Sequence, residues 1–267
     1  MLFRSPGEVT RQAVGAHVGG DAPIDEAVSL GLQAVQIFLG DPQSWKAPVI
    51  PGGDAAVLRD QATAAGIEIF VHARYVINVA TTNNKVRIPS RKMLQADVDA
   101  AASVGATAVI VHGGHVTAED DPSVGYANWK KAVDQLDMKV PVYIENTAGG
   151  ANAMARRLES LKYLWDAVGD SGVGFCLDTC HAHAGGIPMS GLADTILGIT
   201  GRIDLVHCND SRDAFDSGAD RHATLGQGHI DIEDIIACLR TAGAPVILET
   251  PATGLASDLA LLAARLG

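Results

Sequence analysis

Residues 108–112 read AVIVH, a run of four apolar residues that ends in a histidine. The apolar residues follow one another without the alternation that marks a half-exposed strand. Uninterrupted runs of this length are typical of a parallel sheet that is covered on its outer face. The run is also far too short to span a membrane. The sequence therefore predicts a buried parallel strand at this position.

Seven further runs of the same kind lie along the chain, and segments of helical composition separate most of them. The apolar runs are residues 13–18, 34–39, 67–72, 141–145, 174–178, 203–207 and 245–249, and the helical segments are residues 55–65, 91–104, 127–136, 153–168, 232–241 and 255–266. Strand alternating with helix over 267 residues is the pattern of a (β/α)8 barrel, which typically takes about 250 residues. No linker interrupts the pattern. We therefore predict an α/β fold, a single (β/α)8 TIM barrel domain over residues 1–267.

The charge of the chain bears on its partners. The net charge is −11, and an acidic protein binds nucleic acid poorly unless its positive charges are clustered. Residues 84–92 place four cations within nine positions, and Arg212 and Arg221 flank another candidate site. A local basic rim and ordinary solvated surface charges both remain open as interpretations.

The N-terminal sequence and the cysteines bear on the location of the protein. Residues 1–12 contain no apolar segment of the kind that directs secretion. The chain has four cysteines, which is few for a disulfide framework in a chain of this size. These features favour a cytoplasmic protein with reduced thiols, and no apolar run is long enough to suggest a membrane partner.

Metal-binding side chains end or closely follow the last six of the eight predicted strands. The C-terminal ends of all strands in this fold converge on one face, where the active site is built. Carboxylates brought together there repel one another, and bound cations remove that repulsion. The sequence therefore predicts a metal site at the C-terminal strand ends, formed by His72, His112, Glu145, Asp178, His207 and Glu249.

Two short motifs add ligands to this set. Asp178 and His181 are three residues apart just beyond a strand, and Asp220 and His222 lie close together in the loop after strand seven. The nine nitrogen and oxygen ligands exceed what one ion can use, so two or three metals are predicted. Zinc suits the ligands best, with manganese or iron as alternatives.

Five segments of the chain together resemble the endonuclease IV family of DNA-repair enzymes. They are FVHARYVIN (70–78), PVYIENTAGG (141–150), GFCLDTCHAHAGG (174–186), LVHCNDSRDAFDSGADRHATLGQGHI (205–230) and ILET (247–250), in the order and spacing of the family. The likeness covers nearly the whole chain. It implies three zinc ions, one held by His72, His112 and Glu145, a second by Glu145, Asp178, His207 and Glu249, and a third by His181, Asp220 and His222.

The resemblance also implies a reaction and a substrate. Members of the family hydrolyse the phosphodiester bond 5′ to an abasic site in double-stranded DNA and leave a 3′-hydroxyl. They act as monomers. The implied catalytic residues are Glu145, Asp178 and Glu249.

Three residues are implied to bind the DNA, namely Tyr75, Gln43 and Arg221. Tyr75 matches an aromatic residue that fills the gap left when the abasic nucleotide leaves the base stack. The chain departs from the family in two loops. Residues 112–115 read HGGH in place of the longer HPGSH, and residues 40–45 read GDPQSW where many relatives carry an asparagine and an inserting arginine.

Two other functions fit part of this pattern. Sugar isomerases and epimerases of the xylose-isomerase-like barrels share the fold and the metal set of strands five to eight, and they use one or two divalent ions. They generally lack the third ligand set, so His181 with Asp220 and His222 favours the nuclease, whereas the net charge favours the isomerase. A catalytically inactive binding scaffold is disfavoured because all nine expected ligands are present.

Overall fold

Eight parallel strands form a closed barrel in the computed structural model, which describes residues 12–266. Each strand pairs with the next strand in the chain, and the last pairs with the first. The predicted (β/α)8 barrel is confirmed. The prediction that the chain lacks an export signal was made on residues 1–12, and residues 1–11 of that segment lie outside the described residues. The strands are β1 (Val14–His17), β2 (Ala34–Phe38), β3 (Glu68–His72), β4 (Ala108–His112), β5 (Val142–Glu145), β6 (Gly174–Asp178), β7 (Leu205–His207) and β8 (Val246–Leu248).

Helices connect the strands, and three of them lie in segments for which no helix was predicted. These three are α1, α6 and α7. None of the helices in the described part of the chain combines the length and the hydropathy needed to cross a membrane. The helices are α1 (Pro23–Leu30), α2 (Ala55–Ala65), α3 (Asn84–Ser103), α4 (Pro122–Gln135), α5 (Leu158–Val168), α6 (Thr179–Ala184), α7 (Leu192–Thr200), α8 (Ile232–Ala242) and α9 (Leu255–Leu266), with 3₁₀ turns at Pro51–Gly53 and Gly169–Ser171.

Three helices begin at other residues than predicted. α4 begins at residue 122 rather than 127, because the side chain of Asp121 caps it by accepting a hydrogen bond from the amide of Ser123 at 2.9 Å. α3 begins at residue 84 rather than 91, because the side chain of Asn83 caps it by accepting a hydrogen bond from the amide of Lys85 at 3.0 Å. The helix then continues through Pro89, which removes one amide donor without ending it. α5 begins at residue 158 rather than 153, because Asn152–Ala153 pairs with His115–Val116 in a short antiparallel ladder.

The strands place alternate side chains inside the barrel and against the helices. Successive residues of a strand point to opposite faces, so Val71, Val109 and Ile144 pack outward in the main core. The residues between them fill the barrel interior and are all buried. The interior cluster is Ala34, Phe70, Ala108, Ile110, Tyr143, Cys176, Leu205 and Ile247.

Candidate metal centre

The six predicted strand-end ligands continue the inward-facing positions of their strands. Each lies two residues beyond a residue of the barrel interior, as His72 follows Phe70. Strand register also places His112 beside Glu145 between β4 and β5. Asp178 and His207 are register partners in the same way between β6 and β7. The C-terminal end of the barrel axis therefore brings together His72, His112, Glu145, Asp178, His207 and Glu249.

The potential nitrogen and oxygen ligands fall into three groups. In each group, one nitrogen or oxygen atom of every residue lies within 4.8 Å of the others. Glu249 adjoins the second group, because its Oε2 lies 3.4 Å from Nδ1 of His207. The grouping agrees with the ligand sets that the resemblance implies, and their role as metal ligands stays a prediction. The groups are His72, His112 and Glu145; Glu145, Asp178 and His207; and His181, Asp220 and His222.

The carboxylate of Glu145 lies at the centre of the cluster. Its Oε2 lies 3.2 Å from Nε2 of His72 and 3.4 Å from Nε2 of His112. Its Oε1 lies 3.1 Å from Nδ1 of His181 and 3.1 Å from Nδ1 of His207. Oε2 therefore faces the two imidazoles of the first group, and Oε1 faces His207 of the second group as well as the Nδ1–H of His181, so the two oxygens point toward different groups of potential ligands.

Two local structures bring His181 and His222 together. Asp178 caps α6 by accepting a hydrogen bond from the amide of His181 at 2.6 Å, which places this histidine in the first turn of the helix. After β7 the chain turns back in an antiparallel ladder that pairs Ser211 with His222. Oδ1 of Asp220 then lies 3.1 Å from Nε2 of each histidine.

The buried carboxylate of Asp210 shapes the loop that follows this ladder. It accepts hydrogen bonds from the amides of Gly226, Gly228 and Ile230 at 3.0, 2.8 and 3.0 Å. A Cβ atom at Gly228 would lie 2.3 Å from the carbonyl oxygen of Ser211, so no larger residue fits there. Residues 207–210 (HCND) and 225–228 (LGQG), both within the quoted segment 205–230, are thus parts of one structure.

Main-chain carbonyl groups set the orientation of three histidine rings. Nδ1 of His72, His181 and His222 lies 2.7, 3.0 and 3.2 Å, respectively, from a carbonyl oxygen. A carbonyl oxygen can only accept, so Nδ1 is the donor in each case, and Nε2 of the neutral ring directs its lone pair into the cluster. Histidine ligands of metals are commonly oriented by such contacts.

The site also contains Gln36, a fully buried residue of β2 that had no predicted role. Its Oε1 accepts a hydrogen bond from Nε2 of His207 at 2.7 Å. Its Nε2 donates to Oε1 of Glu249 at 2.6 Å and lies 3.1 Å from Nδ1 of His17. The signal for this residue is a single amide within the otherwise apolar run of residues 34–39.

Two buried asparagines support the neighbouring carboxylates, and they too had no predicted role. Nδ2 of Asn209 donates to Oδ2 of Asp178 at 2.7 Å and lies 3.2 Å from Oε2 of Glu249. Asn146 exchanges hydrogen bonds of 2.8 and 2.9 Å with the main chain of Asp178. Both lie within quoted motifs, but their partners come from other strands and are not visible in the local sequence.

Among residues 12–266, the basic side chains that pair with the four carboxylates of the cluster are all imidazoles. Within residues 12–266, no Lys or Arg forms an ion pair with Glu145, Asp178, Asp220 or Glu249. Burial alone raises the pKa of Glu145, but the imidazoles of His207 and His112 outweigh burial and hold that pKa well below its usual range. Burial raises the pKa of Asp178. Burial alone lowers the pKa of His181, but the charges of Asp178 and Asp220 outweigh burial and raise that pKa well above its usual range, so protonated imidazole offsets carboxylate charge where bound cations would otherwise do so.

The contacts around His222 fit a cation rather than a simple hydrogen-bond network. Its Nε2 is buried and makes no hydrogen bond within the described residues, although Oδ1 of Asp220 lies 3.1 Å away. The two atoms approach each other without the alignment of a donor and an acceptor. Ligand atoms that point at a common ion are arranged in this way, so the residues present fit a metal.

Known proteins are similar to this chain over nearly its whole length. A sequence model described as xylose isomerase-like TIM barrel matches residues 24–265. The probable endonuclease 4 of Mycobacterium marinum is 56% identical over 253 residues, which are 95% of this chain and 98% of that protein. The probable endonuclease 4 of Mycobacterium tuberculosis (strain CDC 1551 / Oshkosh) is 55% identical over 254 residues, 95% of this chain and 99% of that protein. The chain belongs to the endonuclease IV family. It is therefore an enzyme, a metal-dependent nuclease of the hydrolase class, and the resemblance predicted from its motifs is confirmed.

Solved structures show how the endonuclease IV fold relates to that of sugar epimerases. Endonuclease IV from Thermus thermophilus has a TM-score of 0.82 and 31% identity, covering 95% of this chain and 98% of that one. A D-tagatose 3-epimerase-like protein has a TM-score of 0.76 and 17% identity, covering 95% and 97%. The second likeness shows a shared fold alone.

Two of the three residues predicted to bind DNA in this endonuclease IV family member, Tyr75 and Gln43, lie on adjoining loops. The ring of Tyr75 is centred 5.3 Å from that of His72 and 5.5 Å from that of His112, and the residue is 49% exposed. Gln43 is on the loop after β2. The amide of Tyr75 donates to the carbonyl of Pro42 at 3.0 Å, so the two loops are joined beside the metal cluster.

The third predicted DNA-binding residue has a different environment. Arg221 is exposed, and its guanidinium binds the carboxylate of Asp213, with Nε 2.8 Å from Oδ2. The structure therefore does not bring its side chain into the metal cluster, although it lies between the potential ligands Asp220 and His222. The DNA-binding roles of Arg221, Gln43 and Tyr75 stay predictions.

Cys180 also lies within reach of the cluster. A group of Cys180, Asp178 and His222 has ligand atoms within 4.8 Å of one another. Burial, with the nearby charge of Asp178, raises the pKa of this thiol to about 12, so the thiol is protonated in the metal-free cluster. All four cysteines are buried and free, as predicted.

Proposed function

We propose that this protein hydrolyses the phosphodiester bond 5′ to abasic sites in duplex DNA, leaving a 3′-hydroxyl, with three zinc ions in its cluster. The observation that carries the proposal is the two-sided carboxylate of Glu145, whose Oε2 faces His72 and His112 and whose Oε1 faces His207. Such a carboxylate would help to hold two neighbouring cations, which would supply charge stabilisation for an in-line displacement at phosphorus.

The ligand sets follow the three groups of the cluster. Imidazole nitrogens with carboxylate oxygens favour zinc, and manganese or iron at some sites is the alternative. When bound, zinc supplies Lewis acidity, which makes water acidic near neutral pH and offsets negative charge on phosphate oxygens. The first ion would be held by His72, His112 and Glu145, the second by Glu145, Asp178, His207 and Glu249, and the third by His181, Asp220 and His222.

The carboxylates Glu145, Asp178 and Glu249 are the catalytic residues of this proposal, because they line the place where the scissile phosphate would bind. Asn209 contacts the latter two through Nδ2 and so holds their separation constant. Gln36 binds Glu249 from the opposite side. The geometry of the three carboxylates is thus set before substrate arrives, and pre-organised charge is the most effective kind in catalysis.

Tyr75 lies at the edge of the cluster, where its half-exposed ring would fill the space of the missing base. Burial and the charges of Glu249 and Glu145 raise the pKa of its phenol above the ordinary range. The side chain therefore stays neutral and does not repel phosphate. Gln43 and Arg221 would contact the DNA from the adjoining loops, and the protein would act as a monomer.

The proposal is tested with a labelled duplex that carries a single abasic site. Wild-type protein and the Glu145→Ala variant are incubated with it, zinc is quantified by mass spectrometry in both preparations, and the new 3′ end is tested for extension by a polymerase. We expect wild-type protein to carry about three zinc ions per chain and to cut 5′ to the site, leaving an extendable end. The variant should lose zinc and cut no DNA.

Two results would contradict the proposal in different ways. An active Glu145→Ala protein with its full metal content would overturn the bridging role of this carboxylate. Wild-type protein that cuts no abasic DNA and holds one or two manganese ions would favour the sugar isomerase alternative, which a screen of small ketoses would then examine.

A further inference from the structure

A cleft with a volume of about 440 Å³ lies beside the loops that follow β2 and β3. Its wall on one side is the loop around Trp45 and Lys46, and on the other side α3 contributes Lys85 and Lys92. Arg74 lies between them, and among the described residues no Asp or Glu lines the cleft. This concentration of positive charge contrasts with the net charge of −11 of the whole chain.

The three lysines of this cleft are available to a ligand. Lys46, Lys85 and Lys92 are all exposed, and none of them forms an ion pair with any described residue. Lysines elsewhere on the surface do form such pairs, as Lys130 does with Asp134 and Lys162 with Asp166. Unpaired lysines with no carboxylate nearby create a positive potential that attracts anions.

The buried guanidinium of Arg74 joins the two walls of the cleft. It forms a bidentate ion pair with Asp97 of α3, with Nη2 2.5 Å from Oδ1 and Nε 3.3 Å from Oδ2. Its Nη1 also donates to the carbonyl oxygen of Lys46. Because Asp97 balances the charge of Arg74, the positive charge that a ligand can reach comes from the lysines. The contacts of Arg74 hold the loop of Lys46 against α3, which carries the other two lysines.

The cleft adjoins the candidate metal centre. Arg74, which lines it, is followed directly by Tyr75, whose ring stacks at 5.5 Å on that of His112. Trp45 is 47% exposed at the mouth of the cleft, on the same loop that binds the amide of Tyr75 through Pro42. A polymer bound at the metal centre and passing over Tyr75 would therefore meet the three lysines next.

We propose that this cleft binds the phosphodiester backbone of duplex DNA beside the lesion. Lys46, Lys85 and Lys92 contact phosphates, and the exposed indole of Trp45 packs against the adjacent sugar. The proposal rests on the proposed function for the identity of the polymer. Contacts to phosphate carry no base sequence information, so the cleft strengthens binding to damaged and intact duplex alike.

The test compares two triple variants that remove the same number of exposed lysines. The first is Lys46→Gln with Lys85→Gln and Lys92→Gln, and the control is Lys130→Gln with Lys131→Gln and Lys162→Gln. Binding of each zinc-loaded protein to an intact and an abasic duplex is measured by fluorescence anisotropy between about 50 and 200 mM salt. Zinc content and the single-turnover cutting rate at saturating DNA are measured alongside.

We expect the cleft variant to lose at least about tenfold in affinity for both duplexes at low salt. Each phosphate contact contributes about 0.9 to the slope of log affinity against log salt, so three lost contacts lower that slope by about 2.7. Zinc content and the cutting rate at saturation should not change, because the lysines do not touch the cluster. The control variant should bind as the wild type does.

A cleft variant with the wild-type salt slope would overturn the cleft proposal, even if the wild type cuts abasic DNA. A different result would refute the proposed activity and support the cleft proposal. In that result the wild type cuts no abasic DNA, and the cleft variant nevertheless shows a smaller salt slope for duplex binding than the wild type. The single variant Lys85→Glu, which reverses one charge, should weaken binding further than Lys85→Gln if the phosphate contact is correct.

Discussion

Oε1 of Gln36 accepts a hydrogen bond from Nε2 of His207 at 2.7 Å. This contact places the ring proton on Nε2 and leaves Nδ1 free to act as a ligand. Nδ1 faces Oε1 of Glu145 at 3.1 Å and Oε2 of Glu249 at 3.4 Å. His207 is thus oriented by a side chain from a strand on the far side of β8, whereas other histidines of the cluster are oriented by main-chain carbonyls. Gln36 is a positioning residue.

Gln36→Leu should weaken the second zinc site while leaving the other two intact. The variant removes the acceptor for His207 and the donor to Glu249, and loss of such supporting contacts typically costs about 10- to 100-fold in metal affinity. Zinc retained after dialysis against graded chelator measures the effect. Gln33→Leu is the matched control, because the one side-chain hydrogen bond of Gln33 among the described residues comes from the amide of Val14, away from the cluster. Equal zinc retention in both variants would remove Gln36 from the site.

His17 gives the protein a specific response to acid. Burial, only partly opposed by the charge of Glu249, lowers the pKa of His17 from 6.5 to about 4. Between these values the unfolded chain binds a proton at this residue and the folded chain does not, so stability falls as the pH drops from about 6.5 to about 4. The loss attributable to this residue is at most about 3 kcal/mol.

His17→Gln should lack this contribution. The free energy of unfolding of the wild type, relative to that of the variant, should therefore decrease steadily over this interval, and urea denaturation at a series of pH values measures it. Groups that titrate in both proteins cancel in the comparison. A difference that stays constant with pH would mean that His17 titrates alike in the folded and unfolded chain.

Asp220→Ala and Glu145→Ala should differ in the number of ions they lose. Among the described residues, the carboxylate of Asp220 pairs only with His181 and His222, whereas that of Glu145 contacts every imidazole of the cluster except His222. We expect the first variant to lose about one zinc ion per chain and the second to lose about two, by mass spectrometry of the purified proteins. Equal losses in the two variants would contradict the division of the cluster into separate ligand sets.

Tyr75→Ala should weaken binding to abasic duplex by about 10- to 100-fold, the range expected for one lost aromatic stacking contact. Tyr75→Phe should retain the wild-type affinity, because the ring rather than the hydroxyl would fill the gap. Zinc content should be unchanged in both, since Tyr75 lies beside the cluster without belonging to any ligand group. The affinity is measured by fluorescence anisotropy. If the alanine variant binds abasic duplex as tightly as the wild type does, Tyr75 does not contact the DNA and only packs against its neighbours.

The barrel and the nine potential ligands are accessible to sequence reasoning for a shared physical reason. Buried parallel strands read as apolar runs, and a polar residue at the end of such a run is conspicuous, as His112 is after AVIV. Position within the strand then fixes direction, because residues two apart face the same side. His72 and Glu145 can therefore be placed on the barrel axis from the sequence.

The residues that escaped prediction depend on partners far away in the chain. Gln36 reads as an ordinary polar residue until β7 and β8 bring His207 and Glu249 to it. Asn209 likewise acquires its role from residues 31 and 40 positions away. The prediction of α3 began at residue 91 because it followed the composition of the segment, whereas the cap at Asn83 starts the helix at residue 84 and Pro89 lies inside it.

The closure of the barrel has a consequence for the order in which a new chain becomes active. β8 is the last strand to be synthesised, and Glu249 follows it immediately. Until β8 pairs with both β1 and β7, Gln36 has no carboxylate to hold and the second ligand set lacks a member. A nascent or truncated chain that ends before residue 249 therefore lacks one of the carboxylates of the proposed second ligand set.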